Sequence, residues 1–376
     1  MSLFPPSSCT RLIVKIGSAL LVAPDGMVRR AWLASVAADI AARLAAGQQV
    51  AVVSSGAIAL GARRLGLGKG GRASLEDAQA AAATGQIVLA GIWAELLSSA
   101  GLTAAQMLVT LGDLEDRRRY LNAAATLDRL LALGVVPVIN ENDSVATEEI
   151  RFGDNDRLAA RVAQAAGAAG VVLLSDIDGL YDRNPALPGA NHIARVERID
   201  ATIEAMADTG SASGMGSGGM VSKIAAARIA NAAGTHLAIA SGRAEHPLST
   251  SGRHTLFVAE RSAPARKAWL AGGLTAAGTI HVDVGAAHAL GSGKSLLAAG
   301  ATRVEGRFVR GDLVTIDADG VTIARGLSEY DAAEATRLIG RRSEEQAALL
   351  GYAPRAALVH RNHMALLSAS GQGTSR

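Results

Sequence analysis

The sequence predicts an α/β protein: an open, mostly parallel sheet sandwiched by helices, followed by a small β-rich C-terminal module. Three observations carry this. Short β-branched runs alternate with longer Ala- and Leu-rich stretches. The runs are almost continuously apolar, as in strands covered on both faces, rather than alternating in and out. After about residue 272 the pattern gives way to short strand candidates separated by Gly and Asp turns.

The strand-like runs are residues 12–16, 50–53, 106–109, 135–139, 171–174 and 236–239. Helix-like segments fill residues 30–46, 75–97, 120–133, 155–166 and 219–233. Gly47, Gly134, Gly167 and Gly234 stand where such helices should stop, as C-terminal caps do. In the C-terminal module the strand candidates are residues 279–284, 304–309, 312–316 and 321–324. The chain has 376 residues, a length that suggests two domains. We expect residues 1–272 to form the first and 273–367 the second, hinged at Gly272-Gly273, with the Ser/Gly-rich residues 368–376 as a disordered tail.

Composition narrows the function classes. Apolar residues make up 49%, so a large core is available, but aromatics are only 3%, which argues against stacking platforms for single-stranded nucleic acid. With 37 basic and 34 acidic residues the net charge of +3 gives no electrostatic capture of nucleic acid or membrane. The C-terminal module holds about 11 basic and about 10 acidic residues, near balance. The single cysteine, Cys9, excludes an intrachain disulfide and a cysteine metal site. Residues 78–94 and 96–112 are uncharged, yet too short and too polar to span a bilayer comfortably, and the N-terminus lacks the pattern of a signal peptide. A cytoplasmic protein is expected.

The chemistry gathers at the ends of the strand-like runs. The run 135–139 stops at Asn140-Glu141-Asn142-Asp143, and Asp156 follows within Gly153-Asp154-Asn155-Asp156. Such a cluster does not fill a core, and the carboxyl ends of strands are where open α/β sheets bind ligands. Lys15 lies near the end of the first run, before Gly17-Ser18; it is either a snorkelling or edge-strand lysine or one projecting into a phosphate site. The second run ends Ser54-Ser55-Gly56 and enters a helix, an anion site or an ordinary N-cap. The fifth ends Ser175-Asp176, followed by Asp178-Gly179-Leu180-Tyr181, where a base or ribose fits but a plain turn also would. The Gly-rich stretch Ser213 to Lys223 lets backbone approach polyphosphate, with Lys223 in the first helical turn; the alternative is a flexible linker. Two other patterns are decoys. Gly214, Gly216 and Gly219 match a dinucleotide fingerprint without a preceding strand, and Gly291-Ser292-Gly293-Lys294-Ser295 fails as a phosphate loop because His288 occupies its first glycine position.

Together, two lysines, two anion loops and a carboxylate–amide cluster are what phosphoryl transfer needs: cations on the migrating group, a nucleotide cradle and an acceptor pocket. These motifs hold no convincing hydrolase nucleophile elbow and no histidine base.

At residues 138–143, 153–156, 178–181 and 214–223 the chain closely resembles the amino acid kinase family, in its glutamate-phosphorylating branch. The resemblance spans nearly the whole chain and includes a C-terminal module similar to a PUA domain. It implies transfer of the ATP γ-phosphoryl to the side-chain carboxylate of L-glutamate, giving L-glutamyl 5-phosphate, the step that opens proline biosynthesis. It also implies Mg2+ arriving with ATP and no protein-held metal, proline as feedback inhibitor, and a homo-oligomer. Carried over by residue, Lys15 and Lys223 stabilise the transferring phosphoryl group and Asp156 orients them. Ser55, Asp143 and Asn155 hold glutamate. Lys15, Ser175, Asp176, Ser217, Gly218, Gly219, Met220, Val221, Ser222 and Lys223 contact the nucleotide. Ser54, Ser175, Ser217 and Ser222 stand where threonine is frequent in the family, each keeping a hydroxyl. Family members acting on acetylglutamate, aspartate or carbamate are the near alternatives; an RNA-binding protein using its C-terminal module and a nicotinamide oxidoreductase are the distant ones.

Overall fold

The first strand, β1 (Arg11–Ile16), is Leu-Ile-Val-Lys-Ile after its opening arginine, and every residue past Arg11 is buried. In the computed structural model, which describes residues 3–23, 26–145, 154–208, 219–250, 252–259 and 275–367, it lies in the middle of the larger sheet. The other members are β2 (Gln49–Ser54), β3 (Ala104–Val109), β4 (Val136–Glu141) and β5 (Gly170–Ser175). A small hairpin of β6 (Leu180–Tyr181) and β7 (His192–Ile193) stands apart. β8 (Arg195–Val196), β9 (His236–Ser241) and β10 (His254–Phe257) complete the larger sheet, in the order β3-β4-β2-β1-β5-β9-β10-β8. β1 to β5 and β9 run parallel, whereas β10 opposes β9.

The expected parallel sheet is therefore present, with an antiparallel end that the sequence reading did not anticipate. β10 is only four residues long and β8 two, too short to give a periodic signal.

Side chains of a strand alternate between faces. Leu12, Val14 and Ile16 point with Val52, Val138 and Leu174 into a core shared with the helices Arg30–Ala45 and Leu75–Ser99, through Leu33, Ile40, Leu89 and Trp93. Ile13 and Lys15 face the other side, where the helix Asp154–Ala166 packs on β1 and the helix Met220–Ala232 packs beside it. The alternation thus carries Lys15 to the face covered by the first turns of those two helices. The helix Leu75–Ser99 is long and apolar enough to cross a membrane by length and composition, yet its Leu89, Trp93 and Leu97 are fully buried within this fold. The four glycines expected to end helices all adopt positive φ.

The chain folds as two compact units, one of Met1–Glu115 with Asn122–Glu260 and a second of Arg261–Arg376 with Asp116–Leu121. The expected hinge at Gly272-Gly273 and the expected tail at residues 368–376 lie outside the described residues. The second unit has its own sheet of β11 (Gly278–Val282), β12 (Ala301–Gly306), β13 (Leu313–Ala318), β14 (Val321–Ser328) and β15 (Val359–Leu366), ordered β12-β11-β13-β14-β15. Ile280, Val314, Ile316, Tyr330, Leu338 and Val359 form its core. The helices Val284–Gly291, Ala332–Leu338 and Ser343–Leu350 and the last strand, β15, were not foreseen. The Gly291 to Ser295 decoy is an exposed turn closing the helix Val284–Gly291, as its failed motif implied.

Candidate active site

Every candidate residue that the structure describes sits at the carboxyl end of a parallel strand or the start of the helix that covers it. Lys15 is next to last in β1 and Asp156 is in the first turn of the helix Asp154–Ala166. Lys223 is in the first turn of the helix Met220–Ala232, whose N-cap is Gly219. The Nζ of Lys15 lies 2.6 Å from Oδ1 of Asp156, and the Nζ of Lys223 lies 3.1 Å from its Oδ2. The two ammonium groups therefore converge on one carboxylate. Lys15 is 7% exposed, Lys223 6% and Asp156 0%.

Two cations and one anion leave a surplus positive charge in a site with little water to screen it. Burial pulls the Lys15 ammonium below its ordinary range, against the attraction of Asp156 and with the repulsion of Lys223. For Asp156 burial pushes upward, but the two lysines outweigh it and hold the carboxyl below the usual carboxylate range. Asp156 thus stays ionised and fixes both cations.

Beside this trio, β2 ends in Ser54 and turns through Ser55 and Gly56 into the helix Ala57–Leu65. Gly56 has φ 115°, a conformation that favours glycine, and a Cβ there would meet Leu21 at 3.1 Å. The helix starts without a side-chain cap, so its first backbone amides remain available to an anion. Asn155 joins this turn to β4: its Nδ2 donates to Ser55 Oγ at 2.8 Å and to Asn140 Oδ1 at 3.2 Å. Asn140 in turn donates from Nδ2 to Gln86 Oε1 at 2.8 Å. Oδ1 of Asn155 is buried with no hydrogen-bond partner among the described residues. Asp143 follows β4 in a turn, 9% exposed, and the half-buried Arg72 lies within its electrostatic reach.

On the other side of β1, β5 ends at Ser175, whose Oγ donates to Asp176 Oδ1 at 3.1 Å. Arg243, just beyond β9, donates from Nε to the Asp176 carbonyl at 2.8 Å. Met220 is half-buried and Val221 exposed at the start of their helix, and the Ser222 amide donates to Gly219 O at 3.0 Å. Ser217 and Gly218 lie outside the described residues, as does Gly153 of the acidic cluster.

The arrangement is a cationic pair held on Asp156, with the amides of Asn155 and Asn140 on one side and the strand-end residues Ser175 and Asp176 on the other. A sequence model of the amino acid kinase family matches residues 10–241. The chain belongs to the amino acid kinase family. A second model, of the PUA domain, matches residues 278–350 within the C-terminal unit. The glutamate 5-kinase of Sphingopyxis alaskensis is 77% identical over 368 residues, covering 98% of this chain and 100% of that relative. That of Novosphingobium aromaticivorans is 64% identical, covering 96% of this chain and 97% of the relative. That of Zymomonas mobilis is 60% identical, with 97% and 94% covered.

Sequence reasoning missed Gln86, Arg72 and Arg243. Gln86 lies in a helix whose Ala-rich composition hides one polar contact. Its only clue is the neighbouring Gly85, which marks a close helix approach. Among the described residues no three His, Cys, Asp or Glu side chains group as metal ligands.

Proposed function

We propose that the chain transfers the γ-phosphoryl group of ATP to the side-chain carboxylate of L-glutamate, producing L-glutamyl 5-phosphate at the entry to proline biosynthesis. The observation that carries this is the meeting of Lys15 and Lys223 on Asp156 beside the Ser55–Asn155–Asn140 pocket, in a chain 77% identical to a glutamate 5-kinase.

The acceptor carboxylate is itself the nucleophile, so the protein's task is to bring two anions together in line. Lys15 and Lys223 offset the charge on the migrating group, and Asp156 holds both ammonium groups in place before the nucleotide arrives. Ser55, Asp143 and Asn155 hold glutamate, with the Asp143 carboxylate suited to the α-ammonium. Ser175 and Asp176, with residues 217–223, hold the nucleotide. Magnesium bound to the nucleotide would supply further neutralisation of the phosphate charge beside Lys15 and Lys223. Proline, shaped like a cyclised glutamate, is read as a competitive feedback inhibitor in the same pocket, and the working form as a cytoplasmic homo-oligomer.

The test is glutamate-dependent ADP release. Lys15→Ala and Lys223→Ala are each expected to lower kcat on the order of 10²–10³-fold. Wild-type turnover in both variants would refute the assigned roles. Acetylglutamate or aspartate outperforming glutamate would move the substrate assignment to another branch.

A further inference from the structure

Gln86 does not face the reacting groups, but it terminates a chain of amides that does. It follows Gly85 in the helix Leu75–Ser99. A Cβ at Gly85 would fall 1.8 Å from the Ala57 carbonyl oxygen, so this helix meets the helix Ala57–Leu65 backbone to backbone. That contact fixes the position of Gln86. Its Oε1 accepts from Asn140 Nδ2 at 2.8 Å. An amide that spends its NH2 on one side presents its oxygen on the other, and Asn140 Oδ1 accepts from Asn155 Nδ2 at 3.2 Å. Asn155 also donates from Nδ2 to Ser55 Oγ at 2.8 Å. Both hydrogens of that NH2 are then engaged, and Oδ1 of Asn155 is left buried without a partner among the described residues.

We propose that Gln86 is a positioning residue of the acceptor pocket: by accepting from Asn140 it anchors the far end of the relay, whose observed direction leaves Oδ1 of Asn155 as an acceptor without a donor among the described residues. This rests on the pocket being the amino acid site described above. A buried oxygen lacking a donor selects a ligand that brings one, and the α-ammonium of an amino acid supplies three. The relay has two self-consistent directions. Turning over all three amides would present an NH2 instead and favour a substrate without the ammonium group. A glutamine at position 86 tolerates either direction, whereas a glutamate there can only accept and locks the one observed.

The experiment is steady-state kinetics of the full chain with glutamate and with glutarate, which lacks the α-amine, at saturating MgATP. Gln86→Leu is expected to raise the KM for glutamate about tenfold, with kcat and the KM for ATP little changed. It should narrow the preference for glutamate over glutarate by the same factor. Gln86→Glu should keep the wild-type KM for glutamate within about threefold, since it preserves the acceptor. Gln86→Met, apolar and similar in length, takes the place of Gln86→Leu should that variant not fold. An unchanged glutamate KM in the apolar variant of an active enzyme overturns the inference alone. So does a Gln86→Glu variant that behaves like the apolar one, because the relay would then run the other way or serve only packing. A wild type without glutamate-dependent turnover overturns the reading of the whole pocket, and the inference with it.

Discussion

Asp156 is a fully buried carboxylate gripped by two ammonium groups, and its titration has a definite sign. Its pKa is depressed in the folded protein, so its contribution to stability is present above the unfolded carboxylate range and is lost as pH falls through the folded value. Lys15 also shifts downward, because burial and the repulsion of Lys223 outweigh the attraction of Asp156. Its folded pKa lies below the ordinary 10.5, so the folded protein releases this proton at lower pH than the unfolded chain does. Stability therefore gains from Lys15 as pH rises between the two values, while the site loses a cation that the proposed mechanism uses. The pH profile of kcat/KM should fall on its alkaline side below the ordinary lysine range. Lys15→Arg, which stays charged, should lose that limb in whatever turnover it retains; an unmoved limb would assign the titration elsewhere. Asp156→Asn leaves two buried cations without their anion and should cost about 3 kcal/mol or more in urea unfolding. Lys15 was legible in the sequence because a lysine inside an apolar strand breaks a local rule, and Asp156 because it stands in the polar cluster Gly153-Asp154-Asn155-Asp156. Their partnership was not, since Lys15, Asp156 and Lys223 are brought together only by the sheet and its covering helices.

The elements differ in how plainly the sequence announces them. The six long strands of the first unit were each found within two residues, because continuous apolar runs between glycines and polar ends leave little choice. The helices Ala332–Leu338 and Ser343–Leu350 were missed because seven or eight residues give barely two turns of periodicity. A signal was there: Asp331 and Glu334 form a capping box. β15 carries His360, Arg361, Asn362 and His363 in its middle and reads as polar, which an edge strand with one solvated face permits. Least visible was the crossing of the helices Ala57–Leu65 and Leu75–Ser99, where Gly61 and Gly85 allow backbone contact. A Cβ on Gly61 would fall 1.8 Å from the Ala81 carbonyl oxygen, the counterpart of the clash at Gly85. Gly85→Ala must push the helices apart and should lower stability by roughly 1–3 kcal/mol. Because Gln86 moves with the helix, the KM for glutamate should rise as well. A variant with wild-type melting and KM would show that the helices have room the structure does not suggest.

Across the larger sheet, strand order divides the labour. The chain adds β2, β4 and β3 on one side of β1, then returns to place β5 and β9 on the other. β1 thus stands at the point where the order reverses, and a crevice opens outside the carboxyl ends of its neighbours. Ser55, Asn140 and Asp143 lie at or just beyond the strand ends on one side, and Ser175, Asp176 and Arg243 at or just beyond those on the other. Lys15 lies on the dividing strand and reaches Lys223 through Asp156. If the acceptor occupies the first half and the nucleotide the second, binding defects must segregate. Asn155→Ala should raise the KM for glutamate by about tenfold and leave the KM for ATP alone. Arg243→Ala, which frees the Asp176 carbonyl, should raise the KM for ATP and spare glutamate. Initial-rate measurements with each substrate varied in turn decide it: a variant from one half that raises both constants equally would mean the two halves are not separate sites, and that Lys15 does not mark their boundary.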